Sequence, residues 1–244
     1  MGKLFGQLDR LLRGEFTKSE ELREGRVPVP VSTLVVASLL CGALYGVCMG
    51  LYAATGGIER GWQQFVSSAT KVPLLFLFTL IVTFPSLYVF GALAGSRLRM
   101  SDMLRLLIAS IAVNLAVLAS FGPVTVFFTV FTTSYAFISL LNVIFFMLAG
   151  VVGLGFLARA VHTVFGERAN EEKPTRDGAK SQSRARLIFR AWIVIYGIVG
   201  AQMGWILRPF IGNPEMDFTW FRHHRQSNFF AALMDLLRDV AGSW

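Results

Sequence analysis

Long uncharged stretches separate short charged segments along this chain. No Lys, Arg, Asp or Glu occurs in residues 27–58, 72–96, 106–158 or 191–207. Because a transmembrane helix needs about 20 mostly apolar residues, three of these stretches fit one span each, and the longest fits two spans joined by a turn. The pattern therefore predicts an all-α fold, a polytopic integral membrane helix bundle with five transmembrane helices.

The apolar runs set the bounds of the five predicted spans. The spans are Val31–Ala54, Pro73–Ala94, Met103–Phe121, Tyr135–Ala158 and Ile188–Leu207. Before the second span, residues 63–71 are predicted to form a separate short helix at the membrane interface. Pro73 suits the first position of the second span, where its missing N–H has no intrahelical partner to lose.

Prolines mark two irregular points. Pro85 lies in the middle of the second span, where it removes one backbone hydrogen bond and should kink the helix. Thr83 or Ser86 could bond the carbonyl that is freed. After the third span a Gly-Pro pair interrupts the helical pattern. Residues 122–134 are predicted to form a semi-buried turn at the membrane surface, and a kinked extension of the third helix is the alternative.

Polar segments flank one membrane domain. The predicted organisation is a cytoplasmic amphipathic segment in residues 1–30, a transmembrane domain in residues 31–207 and an extracytoplasmic segment in residues 208–244. Leucines recur at helical spacing near the N-terminus, so a short helix there lies either on the membrane surface or on the protein's own spans. A second amphipathic helix is predicted at Phe229–Val240. Residues 169–183 are poor in apolar side chains and are predicted to be mobile.

Small residues recur at every fourth position in several predicted spans. Gly42, Gly46 and Gly50 share one face of the first span, where another helix backbone can come close. We therefore expect this helix to be the central one, on which later spans pack. Further residues predicted to pack between helices are Gly91, Gly95, Gly153, Gly200 and Gly204.

The distribution of charge favours one orientation. Only 16% of residues are charged, and the formal net charge is +8. With the N-terminus in the cytoplasm and the C-terminus outside, the inner segments hold 17 Lys and Arg and the outer segments hold 6, which agrees with the positive-inside rule. The basic residues flank spans and form no stripe with stacking aromatics, so anionic lipid is an expected partner and nucleic acid is not.

Ionisable Asp, Glu, Lys and His are missing from the interior of the predicted spans, which argues against a pump or a proton-coupled carrier. The deepest polar side chains are Asn114, Asn142 and Gln202. They either line a polar path or form hydrogen bonds between helices, and the second interpretation is preferred. No catalytic, cofactor-binding or metal-binding residues are predicted, because no known motif occurs and the three His are scattered.

The outer end of the fifth predicted span carries the most notable polar group. Arg208 stands where a helix C-terminus favours a cation. It either contacts an anion or a lipid headgroup, or pairs with a nearby acid, Glu215 or Asp217. An aromatic and basic collar follows, in which lipid or partner contacts are predicted at Trp220, Arg222 and Arg225.

Two stretches resemble bacterial members of the Yip1-type membrane protein family. They are Leu44-Tyr45-Gly46 through Gly50-Leu51-Tyr52, and Lys71-Val72-Pro73-Leu74-Leu75 through Phe84-Pro85-Ser86-Leu87-Tyr88. Together with five spans and the expected orientation, the resemblance covers residues 30–207. It implies a non-enzymatic membrane organiser or adaptor, expected in a bacterial inner membrane, with other membrane proteins or a second copy as partners. The acidic Tyr-Gly-Pro segment of eukaryotic members is missing, so small-GTPase binding is not carried over.

The expected function is a non-enzymatic scaffold or accessory subunit of a larger membrane assembly. The alternatives are a passive channel or small-molecule transporter, and a lipid-modifying membrane enzyme. A transporter should show a continuous polar cavity at Asn114, Asn142 or Gln202, whereas a scaffold should have these side chains bonded to neighbouring helices. An enzyme would need ionisable groups that converge at one membrane surface.

Overall fold

Helices make up the described part of the chain. The computed structural model describes residues 2–13, 31–55, 61–93, 100–132, 134–166, 176–207, 220 and 229–242. Within these residues lie α1 (Gly2–Leu12), α2 (Val31–Thr55), α3 (Gly61–Leu93), α4 (Met100–Ser120), α5 (Gly122–Phe131), α6 (Tyr135–Gly166), α7 (Arg176–Leu207) and α8 (Phe229–Gly242), and no strand. The prediction of an all-α helical bundle is confirmed for this part of the chain.

Four helical stretches are long and apolar enough to cross a membrane. They are Val31–Ala54, Gly61–Val89, Met100–Phe131 and Tyr135–Ala160. A shorter apolar stretch, Ala191–Leu207, forms the C-terminal part of α7. The chain is therefore a multi-pass membrane protein, as the uncharged runs predict.

The helix α3 is continuous where two elements are predicted. It includes both the supposed interfacial helix of residues 63–71 and the second span, so the predicted helix start at Pro73 is wrong. A proline inside a helix removes one backbone hydrogen bond, and packing on both sides of it can keep the helix together. Pro73 lies against Gly42 of α2, and the residues before and after it pack in the core.

The second proline of α3 also lies inside the helix, but its surroundings differ from the prediction. The hydroxyl of Thr83 donates to the carbonyl of Thr79 at 2.6 Å, and that of Ser86 donates to the carbonyl of Thr83 at 2.7 Å. The carbonyl that Pro85 frees is the one four residues earlier, at Ile81. The predicted bond to the freed carbonyl is therefore wrong, because each hydroxyl reaches a nearer carbonyl of its own helical turn.

The segment after α4 is helical, so the predicted turn at residues 122–134 is wrong and the alternative of a helical extension is closer. Only Phe121 separates α4 from α5, and its φ of −81° and ψ of −8° lie near helical values. Its N–H donates to the Leu118 carbonyl at 3.1 Å, and its carbonyl accepts from the Thr125 N–H at 3.0 Å. Pro123 falls in the first turn of α5, where a missing N–H is harmless.

The segment between the fourth and fifth predicted spans is helical at both ends. The helix α6 continues to Gly166, and α7 begins at Arg176, well before the predicted start at Ile188. Residues 176–183 therefore belong to a helix, although a mobile stretch is predicted there. Arg, Lys, Ala and Gln are good helix formers even where they are solvated, so low apolar content alone does not prevent a helix.

The terminal helices differ in how their apolar side chains are covered. In α1, Leu8 and Leu11 are buried, so the structure favours packing on the protein's own helices over the membrane surface. In α8, Phe230, Met234 and Leu237 are exposed. Among the described side chains, Leu12 is the exposed leucine of α1, so α8 carries the larger exposed apolar set.

The chain divides into two compact units. The first unit contains Met1–Ser38, Phe78–Asn114 and Val151–Val199, and the second contains Leu39–Leu77, Leu115–Gly150 and Gly200–Trp244. Each unit joins helix segments that are far apart in sequence, so its core depends on contacts between helices.

Candidate functional site

The glycine face of α2 meets α3 in the second unit, and two of its glycines allow the backbones to touch. A Cβ added at Gly46 would lie 2.7 Å from the Cα of Ala69 and would also meet the carbonyl oxygen of Ser68. A Cβ added at Gly50 would lie 2.8 Å from the Cα of Phe65. Non-bonded carbon atoms normally lie about 3.5–4.0 Å apart, so no side chain fits at either position.

The contact continues above and below these two glycines. A Cβ added at Gly42 would lie 3.3 Å from the Cα of Pro73, a tight distance that small shifts can relieve. At Gly61, the first residue of α3, an added Cβ would meet the carbonyl oxygen of Ala53 and lie 3.2 Å from the Cα of Ala54. At this end the glycine therefore belongs to α3 and the facing alanines belong to α2.

These distances define an antiparallel register. The facing pairs are Gly42 with Pro73, Gly46 with Ala69, Gly50 with Phe65 and Ala54 with Gly61. Each step of four residues along α2 is matched by a step of four back along α3, so one row of residues from each helix forms the contact. Over about three turns the glycine row of α2 is occupied by α3.

Polar side chains of α2 and α6 bond to each other in the same unit. The Tyr45 hydroxyl donates to the Oδ1 of Asn142 at 2.6 Å, and the Nδ2 of Asn142 donates to the Ile138 carbonyl at 2.8 Å. Tyr45 is 0% exposed and Asn142 is 2% exposed. The amide of Asn142 is thus bonded through both its oxygen and its nitrogen.

A close contact at its first residue brings α5 to this cluster. A Cβ added at Gly122 would lie 3.0 Å from the Sγ of Cys48, so glycine lets α5 lie against α2. One turn later Thr125 is fully buried. The ring of Phe121 stacks on that of Phe145, with centroids 4.5 Å apart, and fixes the junction before α5. The Gly-Pro pair therefore positions a second helix segment in the core.

In the first unit, α4 and α6 meet at another glycine. The Oγ of Ser110 donates to the Gly153 carbonyl at 2.8 Å, and a Cβ added at Gly153 would lie 2.9 Å from the Cβ of Asn114. Asn114 is buried, and its Oδ1 has no hydrogen-bond partner among the described residues. Gln202 is half-buried in α7. Of the three deep polar side chains, Asn142 is thus the one bonded to a neighbouring helix.

A buried lysine lies inside α3. Lys71 is 4% exposed and falls within Gly61–Val89, a stretch long and apolar enough to cross a membrane. Its Nζ donates to the main-chain carbonyl of Trp220 at 2.5 Å and lies 5.5 Å from the centre of that indole ring. The prediction that the spans hold no Asp, Glu, Lys or His is therefore wrong.

The sequence contained a signal for this position that the uncharged run concealed. That run begins at Val72, so Lys71 was taken as the last residue of a separate interfacial helix outside the span. The glycine row of α2 needs a facing helix of matching length, however, and residues 61–73 supply it. A lysine within residues 61–73 therefore has to lie beside the membrane-spanning helix α2.

The other predicted site residues make looser contacts or lie outside the described residues. A Cβ added at Gly204 would lie 3.7 Å from the Cδ1 of Leu75, an ordinary contact distance. Gly200 is half-buried in α7, and Gly91 lies near the end of α3. Outside the described residues lie Gly95, Arg208, Glu215, Asp217, Arg222 and Arg225.

The chemistry available to the described side chains is limited. No three His, Cys, Asp or Glu among them come together as a metal site would require. Comparison with family models, curated proteins and solved structures found no match. The function must be inferred from two local features, the helix contacts built on glycine and enclosed hydrogen bonds, and the buried cation of α3.

Proposed function

We propose that this protein is a non-enzymatic scaffold or accessory subunit of a membrane assembly. The enclosed bond between Tyr45 and Asn142 carries the proposal, because a polar side chain that lined a path for solute would face open space. The occupied glycine row between α2 and α3 supports it as well. In both places the residues that could have formed a groove or a path are used to hold helices together.

The membrane organisation belongs to the same proposal. α7 enters the membrane from the cytoplasmic side as a fifth helix, and the C-terminus lies on the outer side of a bacterial inner membrane, among lipids that include anionic ones. Counting Lys71 with the span in α3 and no longer with an outer segment lowers the outer count of Lys and Arg from 6 to 5 against 17 inside, which supports this orientation further. The organiser role is also what the resemblance to the Yip1-type family implies.

The helix α8 is the surface proposed to receive another membrane protein or a second copy of this chain. Its exposed Phe230, Met234 and Leu237 form an uncovered apolar surface. Asp235 and Arg238 are also exposed on the same helix and form an ion pair at 3.8 Å. Because apolar and charged residues are both exposed on this helix, a substitution in the apolar surface can be compared with a control substitution beside it.

Purification of the full chain in a mild detergent, with mass spectrometry of stoichiometric co-purifying chains, tests this proposal. We expect Met234→Glu to lose the partner and Asp235→Asn to keep it, because only the first change places a charge in the apolar surface. Size-exclusion chromatography with light scattering detects the case in which the partner is a second copy. A wild-type chain that purifies alone as a monomer would refute the scaffold role.

Lys71 favours a second candidate, a passive channel or small-molecule transporter. An ionisable side chain buried within a span commonly marks a substrate or ion path. Flux of small anions into liposomes containing the purified chain distinguishes the two candidates. Flux above that of empty liposomes that disappears in Lys71→Met would favour transport, and background flux in both would favour the scaffold.

A further inference from the structure

The register between α2 and α3 gives the depth of Lys71. Because Gly42 faces Pro73 and Gly46 faces Ala69, Lys71 lies between these two pairs. It is therefore level with the middle of α2, which runs from Val31 to Thr55. The distances that establish this level come from backbone atoms and do not depend on flexible side chains.

A lysine at this level lies near the centre of the membrane. Residues 31–54 of α2 carry no charge and extend about 36 Å, slightly more than the roughly 30 Å apolar layer. The middle of α2 must therefore lie close to the middle of that layer. A lysine near the end of a span can extend to the interface, but a lysine at the centre needs a partner inside the protein.

The helix α7 reaches the same level. A Cβ added at Gly204 would lie 3.7 Å from Leu75, which is one turn from Lys71 along α3. Earlier in α7, the indole N–H of Trp192 donates to the Oγ of Ser86 of α3, so the two helices run antiparallel. From Gly204 to Leu207, the last described residue of α7, the helix rises about 4.5 Å, which brings Leu207 level with Lys71.

The main chain at Trp220 is held at this level too. Its carbonyl accepts a hydrogen bond from the Nζ of Lys71, and its indole lies beside the same ammonium group. Backbone outside a helix is tolerated at membrane depth only where its polar groups are bonded within the protein. A charged donor at the carbonyl of Trp220 meets that requirement.

We propose that the main chain at Trp220 lies inside the membrane at the depth of Lys71, held there by the ammonium group of that lysine. The lysine gains an acceptor and an aromatic face, and the carbonyl gains a charged donor. The inference rests on the membrane-spanning character of α2 and α3, and it holds whether the chain is a scaffold or a transporter.

Quenching of tryptophan fluorescence by brominated lipids measures the depth directly. The chain is reconstituted in vesicles of phosphatidylcholine brominated either near the methyl end of the acyl chain or near the headgroup. Subtracting the Trp220→Phe signal from the wild-type signal isolates Trp220, which is 48% exposed and so accessible to lipid. Trp62→Phe isolates a matched control, because Trp62 lies in the first turn of α3 and is 71% exposed.

We expect bromine near the methyl end to quench Trp220 more strongly than bromine near the headgroup, and the opposite order for Trp62. In Lys71→Met, bromine near the methyl end should no longer quench Trp220 more strongly than bromine near the headgroup. In Lys71→Arg this difference in quenching should remain, because the donor remains. Equal quenching profiles for Trp220 and Trp62 in the wild type would overturn the proposal. If Lys71→Met does not fold, the wild-type comparison still decides it. An unchanged profile in a folded Lys71→Met would overturn the anchoring by lysine.

Discussion

At Gly46 the backbone of α3 comes too close to α2 for any side chain, and substitution of this glycine by alanine gives the sharpest test of the packing between the two helices. The added methyl would lie 2.7 Å from the Cα of Ala69 and 2.8 Å from the carbonyl carbon of Ser68. Both neighbours are backbone atoms of α3 and cannot turn away as a side chain would. The two helices must therefore separate by about 1 Å to restore a normal contact distance.

The cost can be estimated from the structure. Overpacking of this kind typically costs about 1–3 kcal/mol, because a gap of 0.5–1 Å forfeits a quarter to a half of each contact along the interface. Replacing glycine by alanine in a helix also gains up to about 1 kcal/mol of helix propensity, which acts in the opposite direction. A second glycine-to-alanine change in open space is therefore needed to isolate the packing cost.

The chain offers such controls. At Gly150, in α6, an added Cβ meets no atom within 4 Å, so Gly150→Ala reports helix propensity alone. At Gly42 the shortest contact would be 3.3 Å, so Gly42→Ala should fall between the two. Stability in mild detergent should decrease in the order Gly150→Ala, Gly42→Ala, Gly46→Ala. The first and last should differ by about 1–3 kcal/mol, and Gly46→Leu should prevent the helices from assembling.

Thermal unfolding followed with a thiol-reactive fluorogenic dye measures this order, since Cys41 and Cys48 of α2 are free and half-buried. For a chain of this size each kcal/mol corresponds to about 2–4 °C in the midpoint. A midpoint for Gly46→Ala equal to or above that of Gly150→Ala would refute the close approach of α2 and α3. Normal folding and partner binding of Gly46→Leu would refute the central role of α2.

Four further substitutions probe the hydrogen bonds and close contacts between helices. Tyr45→Phe should cost under about 2 kcal/mol, and a double-mutant cycle with Asn142→Ala in the same unfolding assay should give a coupling energy above zero, because the 2.6 Å bond joins the two side chains. Gly153→Ala should lower the midpoint by several degrees, since its Cβ would lie 2.9 Å from the Cβ of Asn114. Ser110→Ala should cost about 1 kcal/mol through loss of its 2.8 Å bond, and circular dichroism should show unchanged helix content.

The row of glycines on α2 was predictable because it depends only on spacing along one helix. A residue repeated at every fourth position must share a face, and a face without side chains allows a close neighbour. The identity of that neighbour was not predictable in the same way. The two glycines and two charged residues within 56–60, with the polar side chains that follow Gly61, resemble a membrane boundary in sequence, so the first turns of α3 were assigned to a separate element.

The contact between Tyr45 and Asn142 could not be predicted because the two residues are 97 positions apart. Sequence spacing identifies Asn142 as a deep polar group, but which helix faces it is decided by packing. In residues 122–131 a local sequence signal was visible, but its structural consequence was predicted incorrectly. Their Gly-Pro start indicates a helix break, yet proline in a first turn is compatible with a helix that begins immediately. The Gly-Pro pair indicates where the helix is interrupted, but it does not indicate that the interruption is a single residue, Phe121.

The glycine row and the buried cation are physically linked. Ala69 and Pro73, which face two of the glycines, lie on either side of Lys71 in α3, so the backbone contact fixes the depth and direction of the lysine. A shift of about 1 Å in α3 would have to be absorbed by the flexible lysine stem or would weaken its bond to Trp220. Gly46→Ala should therefore change the fluorescence of Trp220, whereas Gly150→Ala should leave it unchanged. The row of small residues that packs α2 against α3 would then also determine where in the membrane the charge is placed.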